Sequence, residues 1–102
     1  MEAIYLESTI YTLNSNVVLE TFDDSALILN LKDATFTELN PTGRDILQAT
    51  NGVNNLQQVA EMLAGEYEIE LEIALKDVVE LYQQLLEQGM IRKTKLQKGK
   101  VG

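Results

Sequence analysis

The chain has 102 residues, with 16 acidic against 8 basic side chains and neither cysteine nor histidine. That length supports one domain with a modest core, and the missing residues exclude disulfides, thiolate or imidazole ligands, most zinc sites and every nucleophilic triad built on histidine. Every acid lies at or before Glu87, whereas Arg92, Lys93, Lys95, Lys98 and Lys100 crowd the last eleven residues, so the body repels phosphate backbones and the basic run reads as a solvated tail.

The chain opens on MEAIYLESTIYTL. It has no basic start and no unbroken apolar stretch, so no signal peptide is expected. No apolar run anywhere approaches the roughly 20 residues of a membrane span, and a cytoplasmic location is the default expectation. Residues 1–16 read either as a strand, with Ile4, Leu6, Ile10 and Thr12 on one parity, or as an arm suited to pairing with a second copy in a homodimer.

Val17 to Phe22 is rich in strand-favouring residues, and Asp23-Asp24-Ser25 is a turn. Ala26 to Leu31 is apolar on both parities, as a covered central strand should be. After the Lys32-Asp33 turn, Ala34 to Leu39 completes a small antiparallel meander. Asn40 stands where an N-cap belongs, Pro41 suits the first helical position, and Asn51-Gly52 closes the helix that carries Ile46 and Leu47. A strand therefore runs straight into a helix through a rigid corner.

Beyond Gly52 the period changes. Leu56, Val59, Ala60, Leu63 and Tyr67 mark one helix face, with Asn54 or Asn55 as its cap. The longest helix spans Glu70 to Gln88 and ends at Gly89. It bears two adjacent apolar stripes, Ala74, Val78, Leu81 and Leu85 beside Leu71, Leu75, Val79, Tyr82 and Leu86. Such width predicts either a wide core or burial on a second side against a partner. Met90-Ile91 can return to the sheet. The expected fold is α+β, a three-stranded antiparallel sheet followed by three helices in a winged helix-turn-helix-like order. The expected domain is residues 17–91, with 92–102 expected as a basic, disordered tail.

No constellation for catalysis stands out. Glu66, Glu68, Glu70 and Glu72 surround a helix start, where solvation and the helix dipole account for them. Asp23-Asp24-Ser25 lacks the spacing of a calcium loop, and there is no glycine-rich phosphate loop. A non-enzyme without metal or cofactor is the expectation.

The run Leu39-Asn40-Pro41-Thr42-Gly43, then Ile46-Leu47 and Asn51-Gly52, resembles the signature of PqqD-like proteins. Val59-Ala60, Leu63, Glu66-Tyr67, Ala74, Asp77-Val78, Leu81, Leu85 and Gly89-Met90-Ile91 continue it in register, so the likeness covers about Val17 to Ile91. Two positions depart from the pattern. Asn51 replaces the usual aspartate, and Asp24-Ser25 replaces Asp-Gly in the first hairpin.

The resemblance implies a peptide-binding recognition element for ribosomally made, post-translationally modified peptides. In that family the precursor's leader adds as a strand to the third strand, against the last helix, and a separate enzyme, often a radical S-adenosylmethionine protein, modifies the core peptide. PqqD itself serves pyrroloquinoline quinone synthesis. The implied strand is Ala34, Thr35, Phe36, Thr37 and Glu38. Leu75, Val78, Val79, Tyr82 and Leu86 are candidate groove walls alongside Phe36, and Lys32, Arg44, Lys76 and Asp77 are charged candidates. The backbone contacts would come from Thr35 and Thr37 or from their alternate neighbours. The rival reading is a winged helix-turn-helix DNA regulator, but helix Leu56 to Tyr67 offers Gln57, Gln58 and Glu61 without a lysine or arginine.

Overall fold

The computed structural model describes residues 8–94. The elements run β1 (Ile10–Leu13), β2 (Val17–Thr21), β3 (Ala26–Asn30), β4 (Thr35–Leu39), α1 (Pro41–Ala49), β5 (Asn51–Asn55), α2 (Leu56–Tyr67), α3 (Leu71–Glu87) and β6 (Ile91–Lys93). Residues 1–7 of the expected arm and Lys95, Lys98 and Lys100 of the expected tail lie outside the described residues.

The meander forms as its composition demands. Strands β2, β3 and β4 make one antiparallel sheet in that order, without a bulge, in rows such as Val18, Leu29, Phe36 and Glu20, Leu27, Glu38. Alternation puts Ala26, Ile28, Asn30 and Leu39 on the buried face. The side-chain oxygen of buried Asn30 accepts from the Asn16 side-chain amide at 2.6 Å and from the Lys32 N–H at 3.0 Å. Ala34, expected at the start of the third strand, lies in the turn before it with φ of 61°.

A second three-stranded sheet, in the order β5-β1-β6, departs from the single sheet expected. From Ile10 onward the N-terminal stretch is its central strand. Ile91–Lys93 returns to this sheet, not to the meander, and so takes Arg92 and Lys93 into a strand. Strand β5, NGVNN, has little β propensity. Pairing with β1, Ile10 to Asn55 and Thr12 to Asn51, imposes its shape. Helix α1 accordingly stops at Ala49 with Thr50 as its C-cap, two residues short of the expected Asn-Gly stop. Gly52 still needs its freedom, at φ +83°, where an added Cβ would come 3.4 Å from the Thr12 hydroxyl oxygen.

The helices follow their caps. Asn40 Oδ1 accepts from the Gly43 N–H at 2.8 Å ahead of Pro41. Asn55 and Gln58 form a reciprocal capping box at 2.8 Å each way, so Asn55, not Asn54, starts α2. Among the described residues no helix is long and apolar enough to cross a membrane.

The core joins both sheets to the helices through Tyr11, Ile28, Leu47, Leu56, Val59, Val78, Tyr82 and Leu85. At its centre the Tyr82 hydroxyl lies 2.6 Å from Thr50 Oγ1. The Thr50 hydroxyl donates its one proton to the Ile46 carbonyl at 2.7 Å, so Tyr82 is the donor to Thr50. The Tyr82 ring also packs on Tyr11, with centroids 4.7 Å apart. Burial pushes the Tyr82 phenol up to about 12.

A folded-state value raised above the ordinary value of 10.0 means this stability is whole below pH 10 and is lost as pH rises toward 12. In absorbance titration of the native protein, Tyr82 should therefore belong to a fraction of the tyrosines that resists ionisation until alkaline unfolding releases it, and Tyr82→Phe should shrink that fraction. Tyr82→Phe should lower urea stability near neutral pH by about 1 kcal/mol, because Thr50 loses its donor, and flatten the alkaline fall.

Candidate functional site

Strand β4 is one of the two outer strands of its sheet, with β3 on one side only. The phase of its open edge follows from the ladder. The Leu31 N–H bonds the Asn16 carbonyl and the Phe22 N–H bonds the Ser25 carbonyl. Bonded pairs alternate along an antiparallel ladder, so odd-numbered residues of β3 serve β2, while Ala26, Ile28 and Asn30 serve Leu39, Thr37 and Thr35. The backbone N–H and C=O of Phe36 and Glu38 are left pointing away from the sheet. These are the alternate neighbours of the two threonines.

Beside this edge lies an open groove of about 400 Å³, lined by β4, the first turns of α1 and one face of α3. Leu39, Ile46 and Leu81 supply apolar surface. Thr37, Asn40, Thr42 and Gln84 add polar groups, and Asp77 and Glu80 add negative charge. The Thr37 hydroxyl reaches Gln88 Oε1 at a long 3.4 Å and ties the strand to the end of α3. Asp77, Glu80, Leu81 and Gln84 share one face because they follow helical spacing.

The residues singled out in the sequence divide clearly. Thr37, Glu38 and Asp77 line the groove. Val78 and Tyr82 are core residues, 0% and 1% exposed. Leu75, Val79 and Leu86 pack partly buried against the core and are not among the lining residues. Phe36 is 63% exposed, and it alternates with Thr37 and Leu39, so its ring lies on the sheet face away from α3. Glu38 shares that outer face and meets the groove along the strand edge. Lys32 is exposed in the β3–β4 turn and Lys76 is exposed on α3, and neither lines the groove.

Arg44 is a strut. Its guanidinium donates to the Phe22 carbonyl at 2.9 Å, to the Asp23 carbonyl and to Asp45 at 3.0 Å, binding the β2–β3 turn to α1. Thr35 closes the turn before β4. Its hydroxyl donates to Asp33 at 2.7 Å and its N–H at 3.2 Å, and these bonds, the hydroxyl's foremost, hold the Asp33 carboxyl below its ordinary range.

Glu80, Leu81 and Gln84 went unselected as walls, since the widest apolar stripe pointed elsewhere. A signal was present: Leu81 lies at the border of its apolar stripe, with Asp77, Glu80 and Gln84 at helical spacing beside it. No cluster of carboxylates capable of holding a metal ion occurs among the described residues.

A family profile described as coenzyme PQQ synthesis protein D (PqqD) matches residues 25–91. No curated protein matches. Among solved structures, a lasso peptide synthetase B1 complexed with the leader peptide is 27% identical, covering 80% of this chain and 96% of its own, with a TM-score of 0.71. TbiB1 in complex with the TbiA(beta) leader peptide has a TM-score of 0.70 at 18% identity, covering 78% and 93%. The heterocyclase TruD has a TM-score of 0.63 at 18% identity, covering 86% of this chain but 12% of the larger one. At 18% identity the last two show the fold alone.

The ladder phase is directly measurable. Hydrogen exchange should find the Thr37 and Leu39 amides protected and those of Phe36 and Glu38 fast. Equal protection at Phe36 and Thr37 would place the open edge elsewhere.

Proposed function

The chain belongs to the PqqD family, and on that premise we propose that it captures the leader of a ribosomally made precursor peptide and delivers it to a separate modifying enzyme. Capture is by strand addition along β4. One observation carries this reading: the Phe36 and Glu38 backbone groups point outward beside a groove walled by α3. An incoming extended segment gains main-chain hydrogen bonds of little sequence preference. Its groove-facing side chains, opposite Thr37 and Leu39, meet the Leu39, Ile46 and Leu81 surface and supply selectivity.

The fold that this chain shares with a lasso peptide synthetase B1 solved with a leader peptide supports the same reading. The chain has no cysteine, so an iron–sulfur cluster must be held by the enzyme. In this reading that enzyme is a radical S-adenosylmethionine protein or another peptide-modifying catalyst, and the product is pyrroloquinoline quinone or a different modified peptide. A role on DNA is opposed by α2, which carries Gln57, Gln58, Glu61 and Glu66 and no cation.

The test is an amide NMR titration of labelled protein with leader peptides from short reading frames beside its gene, with a DNA duplex as control. Saturable shifts should fall on β4, the first turn of α1 and the Asp77–Gln84 face of α3. Shifts with DNA alone would reverse the assignment. Glu38→Pro removes an outward N–H without touching the β3 ladder, and should weaken capture roughly fivefold relative to Glu38→Ala. Thr37→Pro removes a donor to β3 and should instead loosen the sheet itself.

A further inference from the structure

The outer face of the β2-β3-β4 sheet is patterned in two rows that stop at the open edge. Val18, Leu29 and Phe36 form an apolar row, and Glu20, Leu27 and Glu38 form a row with a carboxylate at each end. Phe36 is 63% exposed because nothing flanks it beyond β4. Glu38 makes no ion pair or side-chain hydrogen bond among the described residues, and neither does Asp77 or Glu80 in the groove. No lysine or arginine lines that groove.

A strand added to β4 continues both rows. In either direction of addition, the residues opposite Phe36 and Glu38 stand two positions apart and share the outer face, because side chains alternate along any strand. The first completes an apolar row. The second lies beside Glu38, where a cation is attracted and an acid repelled. The unpaired Asp77 and Glu80 act in the same sense on whatever enters the groove.

We propose that the occupant of the β4 edge is a basic leader segment, in which a lysine or arginine opposite Glu38 lies two residues from a large apolar residue opposite Phe36. This rests on capture by strand addition and names the client's chemistry. The groove alone offers no such rule, since its apolar surface accepts many side chains.

The probe is a displayed library of random dodecapeptides, panned at physiological ionic strength against the full chain and against Glu38→Lys and Glu38→Pro. Glu38 is exposed, and circular dichroism checks each fold. The wild-type chain should enrich peptides with Lys or Arg two positions from Leu, Ile, Val or Phe. Glu38→Lys should exchange that basic residue for Asp or Glu while keeping the apolar one. For a synthesised wild-type peptide, the same substitution should cost roughly three- to tenfold in affinity, recovered when the peptide's basic residue is made acidic. Enriched peptides that Glu38→Pro loses, but whose charge preference Glu38→Lys leaves unchanged, would overturn the pairing rule and leave strand capture intact. Binders that Glu38→Pro holds as tightly as Glu38→Ala does, or no enrichment at all, would overturn strand capture and the rule with it.

Discussion

The burial of Tyr82 sets the geometry of the site. Its hydroxyl must find a partner inside the core, and Thr50, at the end of α1, is that partner. Its ring packs against Tyr11 of the central strand of the second sheet. These contacts fix which side of α3 faces the core. With Ala74, Val78, Tyr82 and Leu85 inward, the Asp77, Glu80, Leu81 and Gln84 face is carried round toward β4. The groove is thus a result of core packing, and its polarity follows from the face left over.

The second determinant is the corner between β4 and α1. Asn40 satisfies a first-turn N–H, and Pro41 begins the helix with the φ it already has. Close packing completes the corner, since a Cβ on Gly43 would approach the Leu39 Cβ to 3.2 Å and Asn40 Oδ1 to 3.3 Å. The Arg44 strut fastens the far turn of the sheet to the same helix. Strand edge and helix start are held together, so the groove's end is as rigid as its wall.

Much of this was legible in the sequence because it is local. Caps at Asn40 and Asn55, the glycine after α3 and the three meander strands depend on residues a few positions apart. The rotation of α3 was not legible. Two apolar stripes lie side by side, and the buried line, Ala74, Val78, Tyr82 and Leu85, takes members of both, with the Tyr82 hydroxyl meeting Thr50 32 positions away. Strand β5 was hidden for the same reason: five residues of weak propensity take their form from β1, some forty positions away. The choice between the Thr35/Thr37 and Phe36/Glu38 backbone sets depends on the β2–β3 register, which a β3 apolar on both parities leaves open.

The open edge also bears on how the chain behaves without a client. Unpaired strand edges invite other edges, and a second copy of this protein carries the same one. Two β4 edges docked on each other would bring Glu38 of both copies onto a single face, each accompanied by Glu20 along its own row. The overall formal charge of −8 adds a longer-ranged repulsion. The strand is short, five residues, and is cut off at one end by the left-handed turn at Ala34 and at the other by Pro41. In the proposed reading the carboxylate that selects the incoming segment also opposes the closed pairing of two vacant β4 edges, since each copy would set its own Glu38 against the other's sheet face.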